Sequence, residues 1–413
     1  AIVVAIQSTI HAADTKWWKG NLHTHSLWSD GDDYPEMIVQ WYKSNGYDFL
    51  ALSDHNTLSS GQRWKEIKTS AGGVDAFDKY LARFGTDWVE QKWEGGKRLA
   101  RLKPLGEFRS LFEEAGRFLL IESEEITAGY KGKPVHINAT NIRHFIKPLD
   151  GNSVLEVMQK NINAVMEQRQ MTGQPMFPHL NHPNFVWGVT AEELMQVRGE
   201  RFFEVYNGHP AVRNEGDTTH ASTDRIWDIM LTWRLAVLNM EPIYGLGVDD
   251  SHNYHATASD LSNSGRGWVM VRATHLTPEH IVQAMEEGDF YASSGVRVRE
   301  IIDTKKQLSI QIDPEPGVSY KTTFIGTRKG FDRTHTSVTG DDGNPLGVTD
   351  RYSDDVGTIL DEQSGLSPTY SLKGDEIYVR AKIVSSKLKE NPYIEGEHET
   401  AWIQPLIPGR LPQ

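Results

Sequence analysis

The chain of 413 residues contains no cysteine. This absence excludes disulfide bonds, thiolate metal ligands and a cysteine nucleophile. A chain of this length can bury a large core without covalent cross-links. Any metal ion that the protein holds must therefore be bound by histidine, aspartate or glutamate.

Long hydrophobic runs and positive charge are also scarce. No apolar run approaches the roughly 18 residues typical of a membrane-spanning helix, and no "GxSxG" nucleophile elbow is present. The 43 Lys and Arg residues face 56 Asp and Glu residues, giving a formal net charge of −13. Because affinity for nucleic acid comes mainly from Lys and Arg on phosphates, we expect neither a stable nucleic-acid partner nor a membrane partner. A small anionic substrate held by metal remains compatible with this charge.

The N-terminal segment differs in composition from the rest of the chain. It runs apolar from Ala1 to Ile6 and reaches small residues at Ala12 and Ala13. This pattern is typical of the end of a secretory signal peptide, so we interpret residues 1–13 as its remnant and expect an exported protein, periplasmic or secreted. An ordinary N-terminal strand or helix is the alternative interpretation.

Short apolar runs alternate with longer amphipathic segments over residues 14–299. This alternation predicts an α/β fold with a parallel sheet, open or closed into a barrel. A His, Asp or Glu stands at or near the C-terminal end of six of these runs, the end that carries the active site in α/β barrels. Residues 62–117 exceed an ordinary crossover and predict a helical insertion beside the site, or else a plain surface helix pair. From about residue 300, alternating apolar and polar residues predict a small C-terminal antiparallel β domain, residues 300–413.

Nine side chains are candidate metal ligands. Two pairs, His23-Thr24-His25 and Asp250-Ser251-His252, place residues i and i+2 on one face of an extended segment. The candidates in chain order are His23, His25, Asp30, His55, Glu125, His136, His182, Asp250 and His252. Because nine ligands exceed the need of one ion, we predict a cluster of two or three divalent ions. Histidine with carboxylate ligands suits Zn²⁺, Mn²⁺ or Fe²⁺.

Six motifs in this order resemble the PHP (polymerase and histidinol phosphatase) family: "LHTHSLWSDG", "LALSDHNT", "EEIT", "VHI", "NHP" and "DDSH". The resemblance spans about residues 18–255 and implies a distorted seven-stranded (β/α) barrel with a two- or three-metal site. It implies that His23, His25 and Asp250 hold one metal. Glu125 would bridge that metal to a second, held by His136 and His182, and His55, His252 and Asp30 would form the third position.

Four later segments resemble the secreted, carbaryl-hydrolase-like (CehA/McbA) branch of that family: "RIWDIML", "GRGWVMVRA", "GDFYASSGV" and "AWIQPL". The family implies hydrolysis of phosphomonoesters and phosphodiesters, and the named branch members cleave an aryl carbamate. We therefore predict a metal-dependent phosphoesterase that uses a metal-activated water on a small-molecule ester. A carboxylester or aryl carbamate hydrolase with the same site, and a non-catalytic exported binding protein, are the alternatives. The oligomeric state stays open.

Further side chains are predicted to act beside the ligands. The predicted catalytic residues are Asp54, Glu125, His182 and Asp250, with Asp54 either orienting His55 or acting as a general acid. The candidate substrate contacts are Trp28, His179, Trp187, Tyr206, Asn207 and Arg266. Each of these six also has a structural alternative, such as core packing for the tryptophans, strand-end packing for Tyr206 and Asn207, and a surface salt bridge for Arg266.

Overall fold

The computed structural model describes residues 15–304 and 306–409, so the predicted signal-peptide remnant lies outside the described residues. The strands in chain order are β1 Lys16–Asn21, β2 Phe49–Leu52, β3 Arg63–Glu66, β4 Gln91–Glu94, β5 Lys97–Leu102, β6 Leu119–Tyr130, β7 Lys133–Thr140, β8 Phe177–Leu180, β9 Phe202–Asn207, β10 Tyr244–Val248, β11 Trp268–Ala273, β12 Phe290–Ser293, β13 Val298–Asp303, β14 Gln307–Ile312, β15 Tyr320–Arg328, β16 His335–Thr336, β17 Arg351–Tyr352, β18 Thr358–Ser364, β19 Thr369–Ser371, β20 Glu376–Leu388 and β21 His398–Leu406. The helices are α1 Pro35–Ser44, α2 Gly73–Phe84, α3 Leu105–Phe112, α4 Val154–Thr172, α5 Ala191–Leu194, α6 Thr223–Ala236 and α7 Pro278–Glu287, with a 3₁₀ turn at Phe185–Trp187.

Seven neighbouring strands carry the candidate site, in the order β10-β9-β8-β7-β6-β2-β1. β1, β2 and β6 pair in parallel, and so do β8, β9 and β10. Helices α1, α4 and α6 lie in the connections from β1 to β2, from β7 to β8 and from β9 to β10. The prediction of an α/β fold with parallel strands is confirmed.

Strand β7 departs from the predicted pattern. It runs antiparallel to both of its neighbours, β6 and β8. Its ligand candidate, His136, lies near the beginning of the strand. Because β7 is reversed, its beginning lies at the edge where the parallel strands end. We expected each ligand to lie at the C-terminal end of its strand, and this is wrong for His136. Because β7 is reversed, His136 still lies at the sheet edge that carries the other ligands.

The outer strands of this run, β1 and β10, are joined just beyond their ends. The backbone N–H of Asp250 donates to the carbonyl of His23 at 3.1 Å, and the N–H of His25 donates to the carbonyl of Ser251 at 3.0 Å. Thr24 and Ser251 form a parallel bridge. These bonds bring the first and last strands together at the edge that carries the ligands. A fully closed seven-stranded barrel stays a prediction.

Side chains from several of these seven strands pack together in one apolar cluster. Its aromatic and aliphatic side chains come from different strands and are almost completely buried: Phe49, Ile121, Phe177, Phe202 and Leu246. Burying a side chain of this size stabilises a fold by about 1.5–3 kcal/mol. The cluster thus gives the ligand-bearing edge a rigid base.

The helices begin and end where the sequence signals stand. Pro35 occupies the first turn of α1, and Gly46 follows the helix with a φ of 73°. The Ser153 side chain accepts a hydrogen bond from the N–H of Glu156 at the start of α4, and Gly173 ends that helix in the left-handed conformation. These are the ordinary start and stop devices of helices.

Residues 62–117 form a mixed insertion, so the prediction of a helical insertion is wrong in its secondary structure. The segment contains a three-stranded antiparallel sheet, β3-β5-β4, together with α2 and α3. Alternate residues of β5, such as Ala100 and Leu102, are fully buried in a cluster with Phe77 and Tyr80 of α2. Arg98 shares this face and places its guanidinium 4.6 Å from the Phe77 ring, so charged residues on both faces of β5 obscured the strand period in the sequence.

The C-terminal region is antiparallel β structure, as predicted. Strands β15, β18, β20 and β21 pair antiparallel with one another, and β21 also pairs with β12. The large sheet therefore continues from the ligand-bearing strands into this region. The domain boundary near residue 300 stays a prediction. Within residues 15–304 and 306–409, no helix has the length and apolar character needed to cross a membrane.

Candidate metal centre

The two histidines of the first motif stand where β1 ends. Both are fully buried. His23 Nδ1 donates to Glu204 Oε1 at 2.6 Å, which leaves Nε2 facing the centre. His23 Nε2 lies 3.2 Å from Asp250 Oδ1, and His25 Nε2 lies 3.1 Å from the same oxygen. Strand alternation thus turns both rings toward one carboxylate.

Glu125 lies at the middle of the centre. Its Oε2 is 3.5 Å from His23 Nε2, 3.4 Å from His25 Nε2 and 2.7 Å from His55 Nδ1. Its Oε1 is 3.0 Å from His136 Nδ1 and accepts a hydrogen bond from the Asn181 amide at 2.7 Å. The carboxylate therefore faces different histidines with each oxygen, as a bridging ligand requires.

Three side chains form what we call the inner group: His23, His182 and Asp250. None of them is more than 7% exposed. Asp250 adopts a φ of 50°, a left-handed conformation that Asp tolerates better than most residues. Its Oδ2 accepts a hydrogen bond from the Asn207 amide at 3.0 Å, which fixes the carboxylate beside His23.

Four side chains form the outer group: His25, Asp30, His55 and His252. Asp30 Oδ1 lies 3.8 Å from His25 Nδ1 and 3.5 Å from His252 Nε2, and its Oδ2 lies 3.7 Å from His55 Nε2. These distances exceed those of direct hydrogen bonds and suit atoms arranged around a shared cation. His252 Nδ1 donates to the Asp250 carbonyl at 2.9 Å, which leaves its Nε2 lone pair toward Asp30. The Asp30 side chain is 58% exposed, unlike the inner ligands.

The donor set fits divalent ions. In the part of the chain that the structure describes, three buried histidine nitrogens at the centre have no hydrogen-bond partner: His23 Nε2, His25 Nδ1 and His25 Nε2. Unpartnered buried polar atoms are costly, and a cation shared by several of them would remove that cost. All nine predicted ligands belong to groups whose donor atoms lie within 4.8 Å of one another. The clustering is thus observed, and the binding of metal by each residue stays a prediction.

The electrostatics of the centre separate its histidines. Burial disfavours a charged His25, and the neighbouring His252 and His55 add to this effect, which together lower the pKa of His25 to about 3. His25 is therefore neutral at neutral pH, as a metal ligand must be. Burial also opposes the charge of Asp250, but the neighbouring His23 and His25 outweigh it and hold the pKa of Asp250 well below its usual range.

Glu204 is a functional residue that the sequence analysis missed. It is fully buried and accepts hydrogen bonds from His23 Nδ1, from His179 Nε2 at 3.2 Å and from the backbone N–H of His182 at 2.8 Å. Burial alone would raise its pKa, but His23 and the hydrogen bond from His179 hold the pKa well below the usual range. A lone glutamate inside the apolar run "RFFEVY" was the available signal.

Asp54 is buried beside the turn that carries Asp30, and its catalytic role stays a prediction. Its Oδ1 accepts hydrogen bonds from the backbone N–H of Ser26 at 2.7 Å and from Ser29 N and Oγ at 3.0 and 2.6 Å. Its Oδ2 accepts from Ser26 Oγ at 2.8 Å. The residue is 1% exposed. These bonds fix the turn that carries Asp30.

Three of the predicted substrate contacts are core residues. Trp28 is 2% exposed, and its indole N–H donates to the Lys103 carbonyl at 3.3 Å. Arg266 is fully buried, and its guanidinium donates mainly to backbone carbonyls, including that of Gly208 at 2.9 Å. The Tyr206 hydroxyl accepts from the Lys389 ammonium, and Tyr206 is 2% exposed. These side chains hold strand ends and loops in place, which is the structural alternative for each, and their contact with a substrate stays a prediction.

The other three predicted substrate contacts have different positions. His179 and Asn207 are fully buried behind the inner group, where both donate to Glu204. They orient ligands and do not line a pocket. Trp187 stacks on His220 with ring centroids 3.7 Å apart and has Arg213 5.2 Å from its ring. Contact between Trp187 and a substrate stays a prediction.

Three residues beside the ligands form what we call the rim of the centre and were not among the predicted site residues: Phe185, His209 and Lys65. The Phe185 ring lies 5.1 Å from the His182 ring and 6.0 Å from the His136 ring, centroid to centroid. His209 lies beside them, with its ring centroid 6.3 Å from that of Phe185. Lys65, on β3 of the insertion, donates from Nζ to the carbonyl of Ser29 at 3.0 Å, next to Asp30. The rim thus combines an aromatic face with a cation.

No family model matches the chain, and no curated protein gives a significant match. Among solved structures, the chain is similar to a two-domain protein from Bacteroides vulgatus ATCC 8482 described as containing a predicted PHP-like metal-dependent phosphoesterase. That likeness covers 94% of this chain and 95% of the other at 15% identity, with a TM-score of 0.39. An inferred metal-dependent phosphoesterase from Bifidobacterium adolescentis ATCC 15703 is similar over 56% of this chain and 87% of its own, at 12% identity and a TM-score of 0.28. At these values the likeness says nothing of what this chain acts on.

Proposed function

We propose that the protein is a metal-dependent hydrolase of phosphoesters, with a distorted seven-stranded barrel of the PHP type. The observation that carries the proposal is the convergence of nine His, Asp and Glu side chains with unpartnered buried donor atoms at one sheet edge. A non-catalytic binding protein on a decayed barrel would be expected to have lost several of these ligands.

Different residues of the centre would hold different ions. The inner and outer groups would each hold an ion, and Glu125 would bridge between sets of histidines. Two or three divalent ions there would polarise the ester, acidify a water and stabilise charge on the leaving oxygen. Glu204 and Asn207 keep His23 and Asp250 in the orientation that binding requires.

The charge of the centre favours an anionic substrate. Its carboxylates are Asp30, Glu125, Glu204 and Asp250, whose four negative charges balance two divalent ions but not three. A centre loaded with three ions therefore keeps positive charge, and Lys65 adds a cation at the rim close to Asp30. A phosphoryl group, with several charged oxygens, matches this field better than a neutral ester does. We therefore favour phosphomonoesters or phosphodiesters as substrates.

Phe185 favours a second candidate, hydrolysis of aryl carboxylesters or carbamates by the same centre. Its ring lies next to His136 and His182, where the leaving group of an ester would be placed. An aryl group can pack against such a ring. This candidate fits the carbaryl-hydrolase-like branch indicated by the sequence. Residues 1–13 support the further proposal that the protein is exported, and a small molecule is the proposed partner.

The test begins with metal analysis of protein purified without chelator, for which we expect two or three ions per chain. The protein loaded with Mn²⁺ or Zn²⁺ is then assayed on p-nitrophenyl phosphate, bis-p-nitrophenyl phosphate, a naphthyl ester and a naphthyl carbamate. Turnover of a phosphate substrate supports the proposal, and turnover of only the ester or carbamate replaces it with the second candidate.

A pair of variants ties activity to the centre. His23→Ala should lose metal and turnover, whereas His275→Ala, an exposed histidine beside Thr274, should retain both. Full activity in His23→Ala, or no metal in the wild-type protein, would refute the proposed centre.

A further inference from the structure

His209 lies at the rim of the metal centre but belongs to none of the ligand groups formed by residues 15–304 and 306–409. It follows β9 directly, two residues after Asn207. Its ring centroid lies 5.5 Å from that of His252, and the two rings meet edge to face. On the other side it faces Phe185. The ring therefore stands between the outer group and the aromatic face of the rim.

Three hydrogen bonds fix this ring and its turn. The backbone N–H of His209 donates to Asn207 Oδ1 at 2.8 Å, and the carbonyl of His209 accepts from the N–H of Val212 at 3.1 Å. The backbone N–H of Ala211 donates to His209 Nδ1, also at 3.1 Å. An amide can only donate, so Nδ1 must be the unprotonated nitrogen. The ring proton of neutral His209 is therefore on Nε2.

The Nε2–H group is directed away from the turn. Within the part of the chain that the structure describes, Nε2 forms no hydrogen bond, although the ring is largely buried. Asp250, His252 and His182 all lie close enough to act on the charge of His209. A fixed donor that lies beside a cluster of metal ligands without joining it is suited to an oxygen atom of a bound substrate.

We propose that His209 is a catalytic residue that donates an Nε2–H hydrogen bond to a non-reacting oxygen of the substrate's phosphoryl group. The proton stays on Nε2 throughout, so His209 neither protonates the leaving group nor binds metal. The bond strengthens as negative charge accumulates on that oxygen in the transition state. This inference rests on the proposed function and adds to it a residue that recognises the phosphoryl group.

Two substitutions separate this role from a structural one. Asn in place of His209 puts an acceptor where Nδ1 stands and keeps the bond from Ala211, but it loses the outward donor. Gln puts an amide N–H where Nε2 stands and restores that donor, at the cost of the bond to the turn. A donor to the substrate requires that His209→Gln outperform His209→Asn, and a purely structural residue requires the reverse.

The first measurement is turnover of p-nitrophenyl phosphate and phenyl phosphate by the metal-loaded proteins. We expect His209→Asn to lower kcat/KM about 100-fold, as for the loss of one preorganised donor, and His209→Gln to stay within about tenfold of wild type. The loss should be equal for both substrates. A larger loss with phenyl phosphate, whose leaving group is the more basic, would overturn the proposal in favour of a general acid.

The second measurement does not depend on turnover. Titration calorimetry with inorganic phosphate should give an affinity about tenfold weaker for metal-loaded His209→Asn than for wild type, and near wild type for His209→Gln. Metal content should be unchanged in both variants. Loss of metal from them, or equal phosphate affinity in all three proteins, would overturn the proposal. If the wild type hydrolyses no phosphate ester, the proposed function fails, and the phosphate titration still decides the role of His209.

Discussion

The inner and outer groups of the centre are built from the same side-chain types but are held differently. In the inner group, His23 donates a hydrogen bond to Glu204, Asp250 accepts one from Asn207, and no ligand is more than 7% exposed. The outer group depends on Asp30, whose side chain is 58% exposed and lies 3.5–3.8 Å from its histidine partners. The comparison teaches that one position is preorganised for metal and the other must adjust when metal binds. We therefore expect tight binding at the inner group and weaker binding at the outer group.

Removing the shared carboxylate should abolish the difference between the groups. Glu125→Gln places an amide against histidines from both sets, so we expect loss of metal from both. Because bound metal contributes several kcal/mol to such reactions, kcat/KM should fall about 10³-fold or more. Metal analysis and phosphate-ester assays measure this. Glu122→Gln, on the same strand but outside the ligand groups, serves as the control and should bind the wild-type amount of metal.

Removing a supporting carboxylate should weaken the inner group alone. Glu204→Gln leaves His23 Nδ1 with a poorer partner, and loss of such partners typically costs 10–100-fold in metal affinity, by rough analogy with other sites. Timed release of metal to a chelator should show a fast phase from the outer group and a slow phase from the inner group. In Glu204→Gln we expect the slow phase to accelerate and the fast phase to stay unchanged. An accelerated fast phase with an unchanged slow phase would contradict the assignment of tight binding to the inner group.

Changing the exposed carboxylate should weaken the outer group alone. Asp30→Asn removes one charge from that group, so we expect the loss of about one ion per chain and a drop in kcat/KM of about tenfold. Asp75→Asn, an exposed aspartate on α2, is the matched control. An unchanged metal content in Asp30→Asn would mean that Asp30 is not a ligand.

A buried carboxyl away from the centre separates the effect of burial from that of the ligands. Burial raises the pKa of Glu36 from 4.5 to about 6, although Tyr80 and Trp88 donate to it. Because the folded pKa lies above the unfolded one, the favourable contribution is complete below pH 4.5 and is lost as the pH rises through about 6. The loss amounts to about 2 kcal/mol.

Glu36→Gln should therefore stabilise the protein above pH 6 and have little effect below pH 4.5. Urea midpoints at pH 4.5 and pH 8 test this, with the exposed Glu94→Gln as the control. A midpoint for Glu36→Gln that falls at pH 8 would contradict the prediction. Glu125 is as deeply buried as Glu36, but the charges of neighbouring histidines lower the pKa of Glu125.

The ligands were predictable because their spacing follows strand geometry. His23 and His25 share a face by alternation, and each predicted ligand lies at the same edge in the structure. Glu204 was missed because a single carboxylate in an apolar run gives no spacing signal. The direction of β7 was missed because pairing direction depends on contacts distant in sequence. The role of Arg266 was missed because its partners are backbone carbonyls from several loops.

The join between β1 and β10 has a consequence for biosynthesis. The first ligands of the chain, His23 and His25, take their backbone partners from the last, at residues 250 and 251. A growing chain therefore cannot complete the centre until residue 252 has left the ribosome. Folding of this kind, in which contacts join sequence-distant segments, is slow compared with local folding. Metal uptake should thus follow synthesis of the whole ligand-bearing region, and a nascent chain cut short before residue 250 should retain no ions in the inner group.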